Sequence, residues 1–167
     1  MDLLFRTAQK NDAILLAPRL RRADLQEIAA VSGEKPSDGL MRSIEWSEIC
    51  YAVMDENDLI LALFGVIPDE EKSDSGFVWL LGSDELTGQY SKRFIKYSHE
   101  WLAQLHKQYL SLWCYIDARN KIHIRWLQWC GFELVCRIDN YGFEKRLFYK
   151  YTHHSHQVSS VSVTKIE

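Results

Sequence analysis

No stretch of this 167-residue chain is apolar for long enough to cross a bilayer. The longest such run, LILALFGVI at 59 to 67, has fewer than half of the roughly 20 residues a spanning helix needs. A secretory signal pattern is absent too. The four cysteines, Cys50, Cys114, Cys130 and Cys136, form no CxxC pair and no zinc-ligand spacing. They are expected to be reduced cytosolic thiols. An excess of charge of one sign is missing as well. The formal net charge is −3, which removes any bulk electrostatic reason to bind nucleic acid. What the chain does have is a hydrophobic fraction of 47%, a charged fraction of 26% and an aromatic fraction of 13%, with six Trp and eight Tyr. That suits one soluble, cytoplasmic domain with a large core, some of whose aromatics are free to form a partner surface.

Periodicity supplies the elements. LLFRTA (3 to 8) reads as a first strand. Asn11 or Asp12 caps a short helix that must stop before Pro18. Asp24 then opens a second helix as its cap, with Glu27 reaching back in a capping-box pattern and Gly33 closing it. Residues 34 to 48 read as loop with a helical turn at most. CYAVM (50 to 54) and LILALFGVI (59 to 67) form a hairpin about DEND, and an acidic, solvated loop, 68 to 76, leads to the strand FVWLLGS (77 to 83). A long helix between Tyr90 and Tyr109 buries Phe94, Ile95, Trp101, Leu102 and Leu105. LSLWCYI (110 to 116) is the next strand, followed by a helix capped by Asn120 and closed by Gly131. On that helix Trp126 and Trp129 are expected on the buried side, His123 and Arg125 on the solvated side. Strands at 133 to 138 and 143 to 151 flank the turn DNYG.

This order predicts an α/β (α+β) fold. A single domain, 1–150, holds a mixed, mostly antiparallel sheet flanked by helices, with one parallel step across the long helix. The tail, 151–167, is serine-rich and is expected to be disordered, its histidines 153, 154 and 156 solvated rather than metal-bound.

The element order, LRRADLQEI near the start and the asparagine-then-Gly-Phe pairing in RNKIHIRWLQWCGF together resemble the GCN5-related N-acetyltransferase (GNAT) fold over residues 3 to 150. The resemblance implies that the long helix begins at a site for acetyl-coenzyme A, whose pyrophosphate is held by backbone amides. On it, Leu81, Gly88, Gln89, Tyr90, Ser91 and Asn120 are the candidate cofactor-binding residues. The family pattern is Gln or Arg, two residues, Gly, one residue, then Gly or Ala. In ELTGQY (85 to 90) Gly88 matches, while Glu85 replaces the basic or amide residue and Tyr90 the small one. The family's proton-donating tyrosine lies about four residues before the Gly-Phe pair, where this chain has Leu127. Leucine cannot move a proton. Tyr115 is the substitute catalytic candidate, although a tyrosine on a strand is ordinarily core.

A second resemblance is closer. WLLGSDELTGQYSKRFIKYSHEWL and SLWCYIDARNKIHIRWLQWCGF, with the His-Ile-Arg-Trp-Leu run at 123 to 127, are similar to the small internal virion (core or head-assembly) protein family of short-tailed podoviruses. The match covers residues 77 to 150. It implies a phage protein of the host cytoplasm or the virion, acting in assembly through contacts with other internal core or head proteins, without nucleic acid, metal or membrane span. The alternative is an acetyl-coenzyme A-dependent N-acetyltransferase acting on a protein or small amine.

Overall fold

The computed structural model describes residues 2–155. Seven strands form one sheet in the order β1-β2-β3-β4-β5-β7-β6. They are β1 (Leu4–Thr7), β2 (Ile49–Met54), β3 (Ile60–Pro68), β4 (Ser75–Gly82), β5 (Ser111–Asp117), β6 (Glu133–Tyr141) and β7 (Arg146–His154). Every pairing is antiparallel except β4 with β5. β3 lies near the middle of the sheet and is buried from Ile60 to Val66, which explains its unbroken apolar run. The mixed sheet and single parallel step match the expected α/β (α+β) architecture.

The helices are α1 (Lys10–Leu16), α2 (Arg22–Ser32), α3 (Pro36–Trp46), α4 (Asp84–Thr87), α5 (Ser91–Leu105) and α6 (Lys121–Trp129). One sheet face packs Leu63, Trp79 and Leu81 against Leu16, Ile28 and Leu40 of the first three helices. On the other, Val66, Leu112 and Ile116 meet Leu102, Leu105 and Leu127 of α5 and α6. On α5 the buried seam is Phe94, Ser98, Leu102 and Leu105; Ile95 sits outside it and is exposed. β6 is the far edge of the sheet, with Leu134 and Val135 open to solvent.

Several local expectations are corrected. Gln9 is the N-cap of α1, and Asp12, in the first turn, accepts the Gln9 N–H and pairs with Arg6. Residues 36–46 form a full helix, not a loop. Pro36 opens it, and Gly39 lets it approach α2, since a Cβ there would stand 3.2 Å from Ile28. The long helix expected between Tyr90 and Tyr109 is α5, and a further short helix, α4, precedes it. The turn between β6 and β7 is at Gly142–Lys145 rather than DNYG. The last strand runs past Tyr151: Thr152, His153 and His154, expected in the tail, belong to β7, where His153 meets His106 (Nδ1 to Nε2, 2.7 Å). The tail from residue 156 on, with His156, lies outside the described residues. Among the described residues no helix is long and apolar enough to cross a membrane.

The parallel step positions the site. β4 and β5 pair only at Ser75–Ser111, Gly76–Leu112 and Phe77–Trp113, although both strands run on to Gly82 and Asp117. Past Phe77 they diverge, and the sheet opens.

Candidate functional site

The opening contains a cavity of about 170 Å³. Its walls are Phe77–Leu81 of β4 and Cys114–Ile116 of β5, with Ile28 and Gly39 on one side and Trp101, Leu102 and Trp126 on the other. Two candidates from the sequence, Leu81 and Tyr115, line it. Tyr115 stands edge-on to Tyr141 (ring centroids 5.1 Å apart) and is tilted 5.2 Å from Trp113. Trp126 bridges α5 and α6: its ring stacks on Phe94 at 5.2 Å and its Nε1–H donates to Ser98 Oγ at 2.8 Å. Leu127, at the position of the family's acid, is ordinary core.

Gly88, Gln89, Tyr90 and Ser91 are not among the cavity's lining residues. They lie where α4 passes into α5, and three of their amides are engaged locally. The Gly88 N–H donates to Asp84 O (2.9 Å), Tyr90 N–H to Glu85 O (3.1 Å) and Ser91 N–H to Gly88 O (3.2 Å). Tyr90 is buried, with its hydroxyl donating to Asp55 at 3.4 Å. Glu85 is fixed to Arg19 at 2.9 Å, and that contact, the largest influence, holds its carboxyl below the usual range. A pyrophosphate needs free N–H groups converging at a helix start. This loop gives three of them to its own carbonyls and places an anion nearby. Three bonded amides and a nearby carboxylate oppose a diphosphate at Gly88–Ser91.

A buried polar cluster stands beside the cavity and was misread in the sequence. Arg21, not Asp24, is the N-cap of α2. Asp24 is fully buried, and its carboxylate takes Arg21 Nη2–H (2.8 Å), Arg21 Nε–H (3.1 Å) and the Gly82 N–H of β4 (2.9 Å). Glu27, one turn on, does not reach back to its helix start; it accepts the Asp117 N–H of β5 at 2.7 Å. Asn120 is at the N-cap of α6 without capping it by its side chain. Its Nδ2 points to Asp24 (3.4 Å), and its Oδ1 has no partner. His123, expected in solvent, is buried against Asp24 and Glu27 with Nδ1 unpaired, while Trp129 is the exposed one (49%). The α6 seam is therefore His123, Leu127 and Cys130, at four- and three-residue spacing.

Burial sets the charges here. It pushes the Glu27 carboxyl up to about 8, with Asp24 adding to the rise and the Asp117 N–H opposing it. It drives the His123 imidazole down to about 3, helped by the Arg21 guanidinium. Burial also raises Asp24, against the pull of Arg21 and the Gly82 N–H. Near neutral pH the site holds a neutral imidazole and a carboxyl on its first proton, side by side on the cavity wall. The sequence signal for this was the acid pair at 24 and 27 on the face that carries Ile28.

Comparison with known proteins follows the same lines. No curated protein matches the chain by sequence. Among solved structures, the ribosomal-protein-S5-alanine acetyltransferase from Vibrio fischeri is similar, with a TM-score of 0.67 and 12% identity over 93% of this chain and 94% of its own. An acetyltransferase of the GNAT family from Streptococcus pneumoniae gives 0.63 and 16% over 92% and 100%. Spermidine N-acetyltransferase from Vibrio cholerae, solved with CoA and spermine, gives 0.62 and 15% over 92% and 95%. The family model described as "Bacteriophage T7, probable scaffold protein Gp13" matches residues 54–135. The chain thus has the GNAT fold and, across β3 to α6, the sequence signature of that phage scaffold-protein family.

Proposed function

We propose that this chain is a phage internal virion or core-assembly protein, which keeps the acetyltransferase fold as a frame and acts by contacts with other internal core or head proteins. The observation that carries the reading is the α4–α5 link, whose Gly88, Tyr90 and Ser91 amides are bound to its own carbonyls. The family match over residues 54–135 supports it. Its setting is the host cytoplasm and then the virion. The test is affinity isolation of the tagged chain from infected cells. Recovery of defined core or head proteins in fixed ratio is expected, and a chain that comes down alone overturns the reading.

A second reading, an acetyl-coenzyme A-dependent N-acetyltransferase, is favoured by one observation: the β4–β5 opening holds a cavity lined by Leu81, Tyr115 and Glu27. Fold alone does not establish it. Calorimetric titration with acetyl-coenzyme A separates the two. We expect no saturable heat at millimolar cofactor; micromolar binding would restore the enzyme reading, with Tyr115 and Glu27 as its proton-handling groups.

A further inference from the structure

The cluster of Asp24, Glu27 and His123 lies outside everything the assembly reading uses. One donor atom from each stands within 4.8 Å of the other two. Asp24 and Glu27 come from the first turns of α2, three residues apart on one face, and His123 from the first turn of α6. A second observation points to a ligand. Two side-chain atoms buried beside these carboxylates, His123 Nδ1 and Asn120 Oδ1, have no hydrogen-bond partner. Buried polar atoms in a folded protein are ordinarily paired, and a neutral imidazole nitrogen is a common metal ligand.

Space adjoins the cluster on two sides: a small pocket of about 30 Å³ is lined by Asp24, His123 and Arg21, and the larger cavity by His123 and Glu27. A water-sized occupant needs roughly 10–15 Å³. The outer contacts are those of an oriented site. Arg21 and the Gly82 N–H hold Asp24, and the Asp117 N–H holds Glu27, as hydrogen bonds hold the carboxylate ligands of metal centres. The Arg21 charge opposes a cation; Asp24 and Glu27 face it, and Glu27 gives up its proton as the ion binds. Asp117 is occupied separately by Arg119 at 2.7 Å.

We propose that Asp24, Glu27 and His123 form a binding site for one divalent transition-metal ion. Mixed nitrogen and oxygen donors suit zinc or manganese rather than the soft, thiolate-seeking ions. Donors around a four-coordinate zinc stand about 3.4 Å apart, so binding draws the three together by roughly 1 Å and ties α2 to α6.

The test is calorimetric titration of the full chain, stripped with chelator, with zinc chloride. One saturable site is expected. Glu27→Gln and His123→Ala should each weaken it by about tenfold or more, while the double substitution His154→Ala/His156→Ala leaves it unchanged. Cobalt titration should give ligand-field bands without a thiolate charge-transfer band. Glu27→Gln keeps an acceptor for the Asp117 N–H, so its fold, checked by circular dichroism, should persist even if His123→Ala disturbs packing. The proposal is overturned by absence of saturable binding, by affinity indifferent to Glu27→Gln in folded protein, or by a thiolate signature. None of these outcomes bears on the assembly reading, which the isolation experiment decides alone.

Discussion

His123 and Glu27 are a pair of neighbours with opposite responses to pH. Between pH 4.5 and about 8 the folded chain holds the Glu27 proton that the unfolded chain has released, so this group contributes stability at low pH that is lost as pH rises. Between pH 6.5 and about 3 the unfolded chain protonates His123 while the folded chain does not, so stability is lost as pH falls. In the overlap, 4.5 to 6.5, the two slopes oppose each other. We expect a broad optimum there, in chelator-treated protein. Above it, stability should fall by up to roughly 1.4 kcal/mol per pH unit towards pH 8. Urea unfolding at half-unit steps measures this, and Glu27→Gln should flatten the alkaline limb; an unchanged limb means that another group titrates. Asp12 and Asp117, both held low despite their burial, by Arg6 and Arg119, add to the loss in acid. Little of this was legible in the sequence. Asp24 and Glu27 have the spacing of a capping box, and nothing local distinguishes a cap from two acids pointing into a core. Leu127 is buried in the core, as an apolar residue on the α6 seam is expected to be.

At the scale of elements, strands and hairpins were read well because each carries its own signal. The run at 59 to 67 became β3 and the polar DEND its hairpin turn. α3 was missed because Pro36, Ser37 and Gly39 read as loop residues. Its helicity comes from Leu40, fully buried against the sheet, a tertiary effect that outweighs weak local propensity. The β6–β7 turn was misplaced by its docking on α2: Phe143 N–H donates to Val31 O and Glu144 N–H to Ala30 O. Gly142 makes this possible, with φ +73 and a position where a Cβ would lie 2.4 Å from Ala30 O. Gly142→Ala should therefore cost about 2 kcal/mol or more, read as a lowered urea midpoint. A midpoint equal to that of the parent chain would show that the hairpin is not seated there.

At the scale of the molecule, the sheet is two antiparallel blocks, β1–β4 and β5–β7, joined by three rungs of parallel pairing. Element order alone predicted the single parallel step, but not that it would open just past Phe77, because the length of a ladder depends on side chains packed from both faces. The carbonyls of α2 that receive the hairpin belong to Ala30 and Val31, and their donors to Phe143 and Glu144. During synthesis the early helix leaves the ribosome more than a hundred residues before the segment that completes its end. The closing of this fold is therefore a late event in translation, and a ribosome stalled anywhere before the hairpin holds a chain whose first layer is still unlatched.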